Sequence, residues 1–136
     1  MYRVLVPFDS SERRATAQAR AVTALPNAGD AVTATLLYVY DDGVDVESGA
    51  VTQLSSGRLL ADALDEAGVD VETVTRRGDP SDAILDVAAE RDVDVIVLGG
   101  RKRSSVGKLL FGSVSQSVLS RADRPVTVTG ESESPE

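Results

Sequence analysis

The sequence predicts an α/β fold in which a five-stranded parallel sheet carries helices on both faces. Short apolar segments alternate along the 136 residues with amphipathic helical patterns, in the order β-α-β-α-β-α-β-α-β. Aromatic residues make up only 4% of the chain, so aliphatic side chains must build the core, as in parallel sheets covered on both sides. No repeat or linker divides the chain. Residues 1–130 are therefore predicted to form one domain, and 131–136 ("ESESPE") an acidic disordered tail.

The first forty residues supply two strands and a helix. The apolar run Tyr2–Phe8 predicts a buried strand. Asp9 and Glu12 have the spacing of a capping box, so a helix is expected to begin with Asp9 as its cap and to stop at Pro26. The β-branched and aromatic segment Ala31–Tyr40 predicts the second strand.

The middle of the chain begins with an acidic segment, Asp41–Ala50, which is predicted to be a solvated loop. Its carboxylates lack the spacing of a calcium loop, so no metal ligand is assigned there. Helical spacing of leucine and alanine then predicts a helix within Val51–Ala67 that Gly68 closes. The strictly alternating segment Val69–Thr75 has one polar face, which is typical of a strand near a sheet edge.

The last third of the chain supplies two helices and two strands. Asp79 precedes a helical stripe and is expected to cap it. The run Val93–Gly100 is the most apolar strand and is therefore expected to be central. Ser113 and Gln116 have capping-box spacing and predict a short last helix, and Pro125–Gly130 predicts the final strand.

Composition excludes several classes of function. The chain contains no cysteine and no histidine, which removes thiol and imidazole nucleophiles, disulfides and the usual zinc ligands. No apolar run approaches the roughly 20 residues that a membrane span requires, and the first residues lack a signal-peptide pattern, so a cytoplasmic location without a membrane partner is expected. A formal net charge of −8 argues against general nucleic-acid binding.

The positive charges are almost all arginines. Only two of the 14 positive residues are lysines. An acidic, lysine-poor surface suits a halophilic protein, because high ionic strength screens self-repulsion. An ordinary acidic protein from a GC-rich genome fits equally well. An unfolding midpoint that rises in molar salt would favour the halophilic interpretation.

One loop, "GGRKRSSVGKLLFGS" over Gly99–Ser113, contrasts with this acidic background. No Asp or Glu occurs from residue 95 to residue 122. The two glycines at its start would let the backbone turn and approach a ligand closely. The free N–H groups of the helix that Gly112 and Ser113 open would attract phosphate. An anion site is therefore predicted, with charge from Arg101, Lys102, Arg103 and Lys108.

The position of this loop agrees with its chemistry. In parallel α/β folds the ligand lies beyond the carboxyl ends of the strands, where the strand order reverses. Alternation alone does not determine the strand order. If the order is 3-2-1-4-5, strands one and four flank that crevice. The segment "PFDSS" then follows strand one, and the basic loop follows strand four. The loop is not a Walker motif, because Gly107-Lys108 lacks a glycine five positions earlier and a hydroxyl residue afterwards. No dinucleotide glycine fingerprint follows a strand either.

At this loop the sequence resembles the universal stress protein family, over nearly the whole chain up to the tail. The ATP-binding branch has the pattern G-x2-G-x9-G-[S/T], and here Gly99 matches the first glycine and Gly112-Ser113 the last pair. "VLVPFDSS", "GDPSDAI", "KLLFGSVSQSVL" and "RPVTVT" also look like the family. Lys102 replaces the middle glycine. It would either disturb a backbone contact with phosphate or substitute a full charge for it.

The resemblance implies an adenine nucleotide alpha hydrolase-like (Rossmann-like) fold and a homodimeric stress-response module that senses ATP, with Mg²⁺ as a companion of the phosphates. Dimers would pair through the last strand, Pro125–Thr129. Arg101 and Lys102 would add charge at the phosphate end. The other implied site residues are Pro7, Phe8, Asp9 and Val39 near adenine, Leu98 and Gly99 near the nucleoside, and Gly112, Ser113, Val114 and Ser115 near the phosphates.

Two hypotheses stay open at this point. The alternative to ATP binding is a dimer of the same family that binds no nucleotide and acts through protein–protein interaction, and Lys102 is its main support. Asp9 is either a ligand-binding carboxylate or simply a helix cap. No convincing general base accompanies the loop, so no catalytic residue is assigned and slow hydrolysis at most is expected.

Overall fold

The structure is a computed structural model that describes residues 1–40, 54–102 and 112–131, with residues 101, 102 and 131 described by their backbone only. Its strands are β1 (Tyr2–Pro7), β2 (Val32–Tyr40), β3 (Asp70–Arg77), β4 (Val95–Lys102) and β5 (Val126–Glu131). They form a parallel sheet in the order β3-β2-β1-β4-β5. The predicted fold class and strand order are therefore confirmed.

The helices in these ranges are α1 (Glu12–Thr23), α2 (Ala28–Ala31), α3 (Ser55–Glu66), α4 (Pro80–Glu90) and α5 (Ser113–Arg121). The four-residue α2 was not predicted; it follows Asn27, which takes a left-handed conformation with φ of 57°. The predictions for segments 41–53 and 132–136 lie outside the described residues. No helix in the described ranges is long and apolar enough to cross a bilayer.

Two apolar layers flank the sheet and explain why its inner strands are apolar at successive positions. Val4 and Val6 of β1 face α1 and α3, whereas Leu5 between them faces α4 and α5. All three side chains are fully buried. A strand covered on both faces needs apolar side chains on both, so the period-two pattern disappears.

The edges of the sheet follow the sequence pattern. β3, with its polar face, is an edge strand as predicted, and its partner is β2. β4, the most apolar run, is interior but lies between β1 and β5, so β1 occupies the middle of the five strands. Gly68 closes α3 as predicted, with a φ of 82° and its N–H donating to the carbonyl of Asp65 at 2.9 Å.

Two of the three predicted helix caps are wrong. Ser11, not Asp9, caps α1, and its Oγ accepts a hydrogen bond from the Arg14 N–H at 3.2 Å. The helix begins two residues later than predicted, because the Asp9 carboxylate instead accepts from the Ser11 N–H at 3.0 Å. α5 begins after Gly112, so Ser113 is its first helical residue. The cap of α4 by Asp79 is confirmed.

Candidate functional site

β1 and β4 are neighbours in the sheet but pair only near their beginnings. The register joins Val4 to Val95 and Leu5 to Ile96, whereas β1 and β2 stay paired from Tyr2 to Pro7. The two strands therefore separate toward their carboxyl ends. The strand order also reverses here, and parallel α/β folds bind their ligands in such a crevice.

A cavity of about 230 Å³ opens at this crevice. It lies just below the roughly 300–1,000 Å³ typical of small-molecule sites. The fold brings together ten of the twelve predicted site residues. The other two are Arg101 and Lys102, for which the structure describes only the backbone. The ten that line the cavity are Pro7, Phe8, Asp9, Val39, Leu98, Gly99, Gly112, Ser113, Val114 and Ser115. The contact of each with a ligand stays a prediction.

Six further lining residues were missed by the sequence reasoning. They come from β2 and from two helices, and are Arg14, Gln18, Leu37, Tyr38, Pro80 and Ile84. A signal for two of them was present. Arg14 and Gln18 are four residues apart, hence on one face of α1, and Gln18 falls within a stripe of buried alanine and valine. A polar residue on an apolar stripe marks a position with a polar partner.

The Asp9 carboxylate is engaged within the protein. Its Oδ2 lies 2.8 Å from Nη2 of Arg14, and its Oδ1 accepts from the Ser11 N–H at 3.0 Å. The backbone carbonyl of Asp9 accepts from Oγ of Ser56 at 2.6 Å. The Asp9 side chain is 55% exposed, so the ion pair contributes at most about 1 kcal/mol. Together these bonds fix the turn between β1 and α1 that borders the cavity.

Gly99 serves helix packing rather than the sharp turn predicted for it. The chain continues through it as β4 as far as Lys102. A Cβ on Gly99 would lie 3.1 Å from Cβ of Arg14 and 3.4 Å from Cδ of Gln18. The missing side chain therefore lets α1 approach β4 closely beside the cavity.

Aromatic side chains gather at the β1–β2 end of the cavity. The rings of Phe8 and Tyr38 lie 5.5 Å apart, and Tyr40 meets Tyr38 edge-on at 4.7 Å. The Tyr40 hydroxyl is buried without a hydrogen-bond partner in the part of the chain that the structure describes. Burial first, and then the neighbouring Tyr38, raise the pKa of Tyr40. This end of the cavity is apolar and suits a flat ring system.

The opposite end of the cavity is formed by the start of α5. Gly112 offers no side-chain acceptor, and the first turn of α5 holds no acidic residue. The first backbone bond of the helix runs from the Gln116 N–H to the Gly112 carbonyl at 3.0 Å, so the N–H groups of Ser113, Val114 and Ser115 have no partner within the helix. These N–H groups and the positive end of the helix dipole suit an anion. Within the described ranges, no cluster of acidic side chains could hold a metal ion.

A family model described as the universal stress protein family matches residues 1–130. The chain is 52% identical over 60 residues to a universal stress protein of Methanothermobacter thermautotrophicus, which is 44% of this chain and 39% of that protein. It is 35% identical over 65 residues to the stress response protein NhaX of Bacillus subtilis, which is 48% of this chain and 39% of that protein. The chain thus spans about two-fifths of the length of the curated relatives it matches.

Solved structures match over almost the full chain. A universal stress protein from Archaeoglobus fulgidus superimposes with a TM-score of 0.76 at 26% identity, covering 95% of this chain and 98% of its own. A universal stress protein solved in complex with cAMP superimposes with a TM-score of 0.71 at 25% identity, covering 96% of this chain and 98% of its own. The structural similarity therefore extends over nearly the whole α/β fold.

Proposed function

This chain belongs to the universal stress protein family, and from that premise we propose that it binds an adenine nucleotide, ATP in the first place, in the cavity between β1 and β4. One observation carries the proposal: a single cavity joins an apolar, aromatic end to a helix start whose first N–H groups have no partner within the helix. A base and its phosphates need these two environments side by side. The similar protein solved with cAMP supports the choice of an adenine nucleotide.

The proposed pose follows from the two ends of the cavity. The adenine ring lies against Phe8, Tyr38 and Val39, where β1 and β2 end. The ribose lies near Leu98 and Gly99 of β4. The phosphates accept hydrogen bonds from the backbone at 113–115, with Mg²⁺ as their companion and with added charge from Arg101 and Lys102.

The proposed role is nucleotide sensing in the cytoplasm rather than catalysis. Asp9, an acid that lines the cavity, lies at the base end and is paired with Arg14, so it is not positioned to activate water at a γ-phosphate. Slow hydrolysis is the most that we expect. The signal would be the structural difference between the nucleotide-free and the nucleotide-bound protein.

Homodimerisation through β5 is part of the proposal, and the two sheet edges differ in a way that supports it. β3 carries charged residues whose side chains form ion pairs, including Arg91–Glu72 at 2.6 Å and Arg76–Glu90 at 2.8 Å. β5 reads "VTVTGE" and carries no charge before its last residue. Charged edges discourage strand addition, whereas an uncharged edge permits it.

Titration calorimetry tests nucleotide binding. Wild-type protein freed of co-purified ligand is titrated with ATP, AMP and GTP, each with magnesium, in low and molar salt. Binding of ATP and AMP, with weaker binding of GTP, is expected because an apolar end suits adenine better than guanine, whose additional carbonyl oxygen would have to be buried there. No heat with any nucleotide, together with no nucleotide in the purified protein, would overturn the proposal and favour a dimer that acts only through protein contacts.

Analytical ultracentrifugation tests the dimer. Thr127 is exposed on β5, and Thr127→Lys places a charge on the edge strand. The wild type is expected to sediment as a dimer and the variant as a folded monomer. Thr73 is exposed on the opposite edge strand, so Thr73→Lys is the matched control and should remain dimeric. A dimeric Thr127→Lys variant would show that β5 is not the interface.

A further inference from the structure

Gln18 is a polar residue on the buried face of α1. Its neighbours on that face are Ala15, Ala19 and Val22, and only 1% of the Gln18 surface is exposed. A buried amide is expensive unless it is hydrogen-bonded, and an apolar residue would fill the same stripe at no such cost. Glutamine at this position is therefore expected to have a role that an aliphatic side chain could not fulfil.

The side chain spans the gap between the two separating strands. Nε2 of Gln18 donates to the carbonyl of Pro7 in β1 at 2.6 Å and to the carbonyl of Val97 in β4 at 3.0 Å. The strands last pair with each other at Leu5 and Ile96, so these two bonds begin where the direct pairing of β1 and β4 ends. One amide nitrogen thus joins two strands that no longer bond to each other.

Room for this side chain comes from Gly99. A Cβ there would lie 3.4 Å from Cδ of Gln18, and Gln18 and Gly99 both line the cavity. Pro7 immediately precedes Phe8 and Asp9, so its carbonyl is attached to the segment proposed to meet the base. The position of that segment relative to β4 consequently depends on the Gln18 amide.

We infer that Gln18 is a positioning residue that fixes the spacing between the ends of β1 and β4 and so sets the shape of the nucleotide cavity. The inference rests on the proposed nucleotide site for its functional consequence, but the strut itself, meaning the Gln18 amide with the carbonyls of Pro7 and Val97, exists without ligand. Without the Gln18 N–H donors, the buried carbonyl of Val97 and the partly buried carbonyl of Pro7 each lose a partner, and the strand ends shift to recover hydrogen bonds.

Gln18→Met removes the donors while keeping an unbranched side chain of similar length. The matched control is Gln116→Met, the same change at an exposed position of α5 that does not line the cavity. Crystal structures of both ligand-free variants are compared with the wild type, and AMP affinity is measured by calorimetry on protein shown to be folded by circular dichroism. For Gln18→Met we expect a narrowed or displaced cavity and an affinity loss of at least about tenfold, as misplaced contact groups produce. Gln116→Met should change neither.

The outcomes separate this inference from the proposed function. A wild type that binds no AMP or ATP would remove the proposed function, whereas the ligand-free structures would still test the strut. An unchanged cavity and unchanged affinity in folded Gln18→Met, with only a lower melting temperature, would mean that Gln18 is merely structural and would overturn the inference.

A second measurement applies if Gln18→Met does not fold. In the wild type, the side-chain amide protons of Gln18 should exchange with solvent at least about tenfold more slowly than those of the exposed Gln116, because they are buried and bonded. Equal exchange rates by NMR would show that the strut does not form and would overturn the inference.

Discussion

The starts of α1 and α5 border the same cavity but satisfy their backbone N–H groups in opposite ways. α1 is capped by its own Ser11, has Glu12 in its first turn, and is preceded by Asp9 paired to Arg14. α5 follows Gly112, without a side-chain cap and without an acid in its first turn. The start of α1 thus has a side-chain cap, whereas at the start of α5 three backbone N–H groups have no partner within the helix.

The difference indicates which end of the cavity meets the negative part of a ligand. A helix start with a cap and acids has already used its dipole and its donors, so a phosphate would gain little there. Uncapped N–H groups beside a cavity gain most from an added anion. We therefore propose that α5 binds the phosphates and that α1 shapes the base end of the cavity.

Gly112→Asp is expected to have the largest effect, because it gives α5 a cap and a negative charge like those at the start of α1. A backbone with φ of −79° and ψ of 173° accepts any residue, so the fold should survive. ATP affinity should fall at least about 100-fold, since like charges in contact cost several kcal/mol. Helix stability should rise by roughly a few tenths of a kcal/mol. Calorimetry and thermal unfolding measure the two opposite changes.

Gly112→Ser is the matched control for charge. It supplies a neutral cap of similar size, so it should weaken ATP binding by less than the Asp variant and respond less to salt. Equal affinity losses for the two variants would mean that bulk rather than charge matters at this position. Wild-type affinity in Gly112→Asp would contradict the assignment of α5 as the phosphate helix.

Asp9→Asn tests the other helix start and should have a smaller effect. Asparagine keeps an acceptor for the Ser11 N–H but loses the ion pair with Arg14. Because the carboxylate is engaged within the protein, we expect AMP affinity to fall by less than about tenfold, and stability by about 0.2–1 kcal/mol for an exposed pair. Calorimetry on the folded variant measures the AMP affinity. Loss of all binding with an intact fold would show that the carboxylate itself holds the ligand.

Asp79→Ala removes the side-chain cap of α4, a helix that, like α1, begins with such a cap. This variant should have the smallest effect on nucleotide binding. The pKa of Asp79 lies below its ordinary value of 3.8, first because the Ser81 hydroxyl and then the Asp82 N–H donate to its carboxylate. The charged cap therefore stabilises the fold above the unfolded pKa, and this contribution is lost as the pH falls through the lower folded pKa. The variant should melt at a lower temperature than the wild type at pH 7.

Melting temperatures of the wild type and Asp79→Ala, compared over a series of pH values, test the charge of the cap. The difference in melting temperature between wild type and variant should shrink as the pH falls from about 4, where the carboxylate of the unfolded chain begins to bind protons, through the lower pKa of Asp79 in the folded protein. The control is Asp86→Ala, an exposed acid of α4 that does not precede the helix. A difference that is constant with pH would show that the cap acts without its charge.

The start of each helix also shows where sequence reasoning succeeds and where it fails. Spacing located Asp79 because it is the one Ser, Thr, Asp or Asn among the four residues before Pro80. Before α1, Asp9, Ser10 and Ser11 are all able to cap, and the choice depends on which one the strand leaves in reach of the helix. Element type is local information, whereas the residue that ends an element depends on its tertiary neighbours.

The candidate site likewise has features that the sequence predicts and features that depend on tertiary packing. The glycine spacing and the strand order brought Gly99 and Gly112 to one cavity, as predicted. The sequence places Arg14 and Gln18 on one face of α1, but their position at the cavity depends on the distance at which α1 packs on β4. The sharp turn expected at Gly99 was wrong for the same reason: β4 continues through this residue, and its missing Cβ makes room for α1.

A crystal structure of the wild-type protein with ATP and magnesium tests the central claim most directly. The account predicts phosphate oxygens within roughly 2.7–3.2 Å of the backbone nitrogens of Ser113–Ser115, and the adenine ring between Phe8 and Val39. Phosphates at the start of α1, or a nucleotide outside the crevice between β1 and β4, would contradict it.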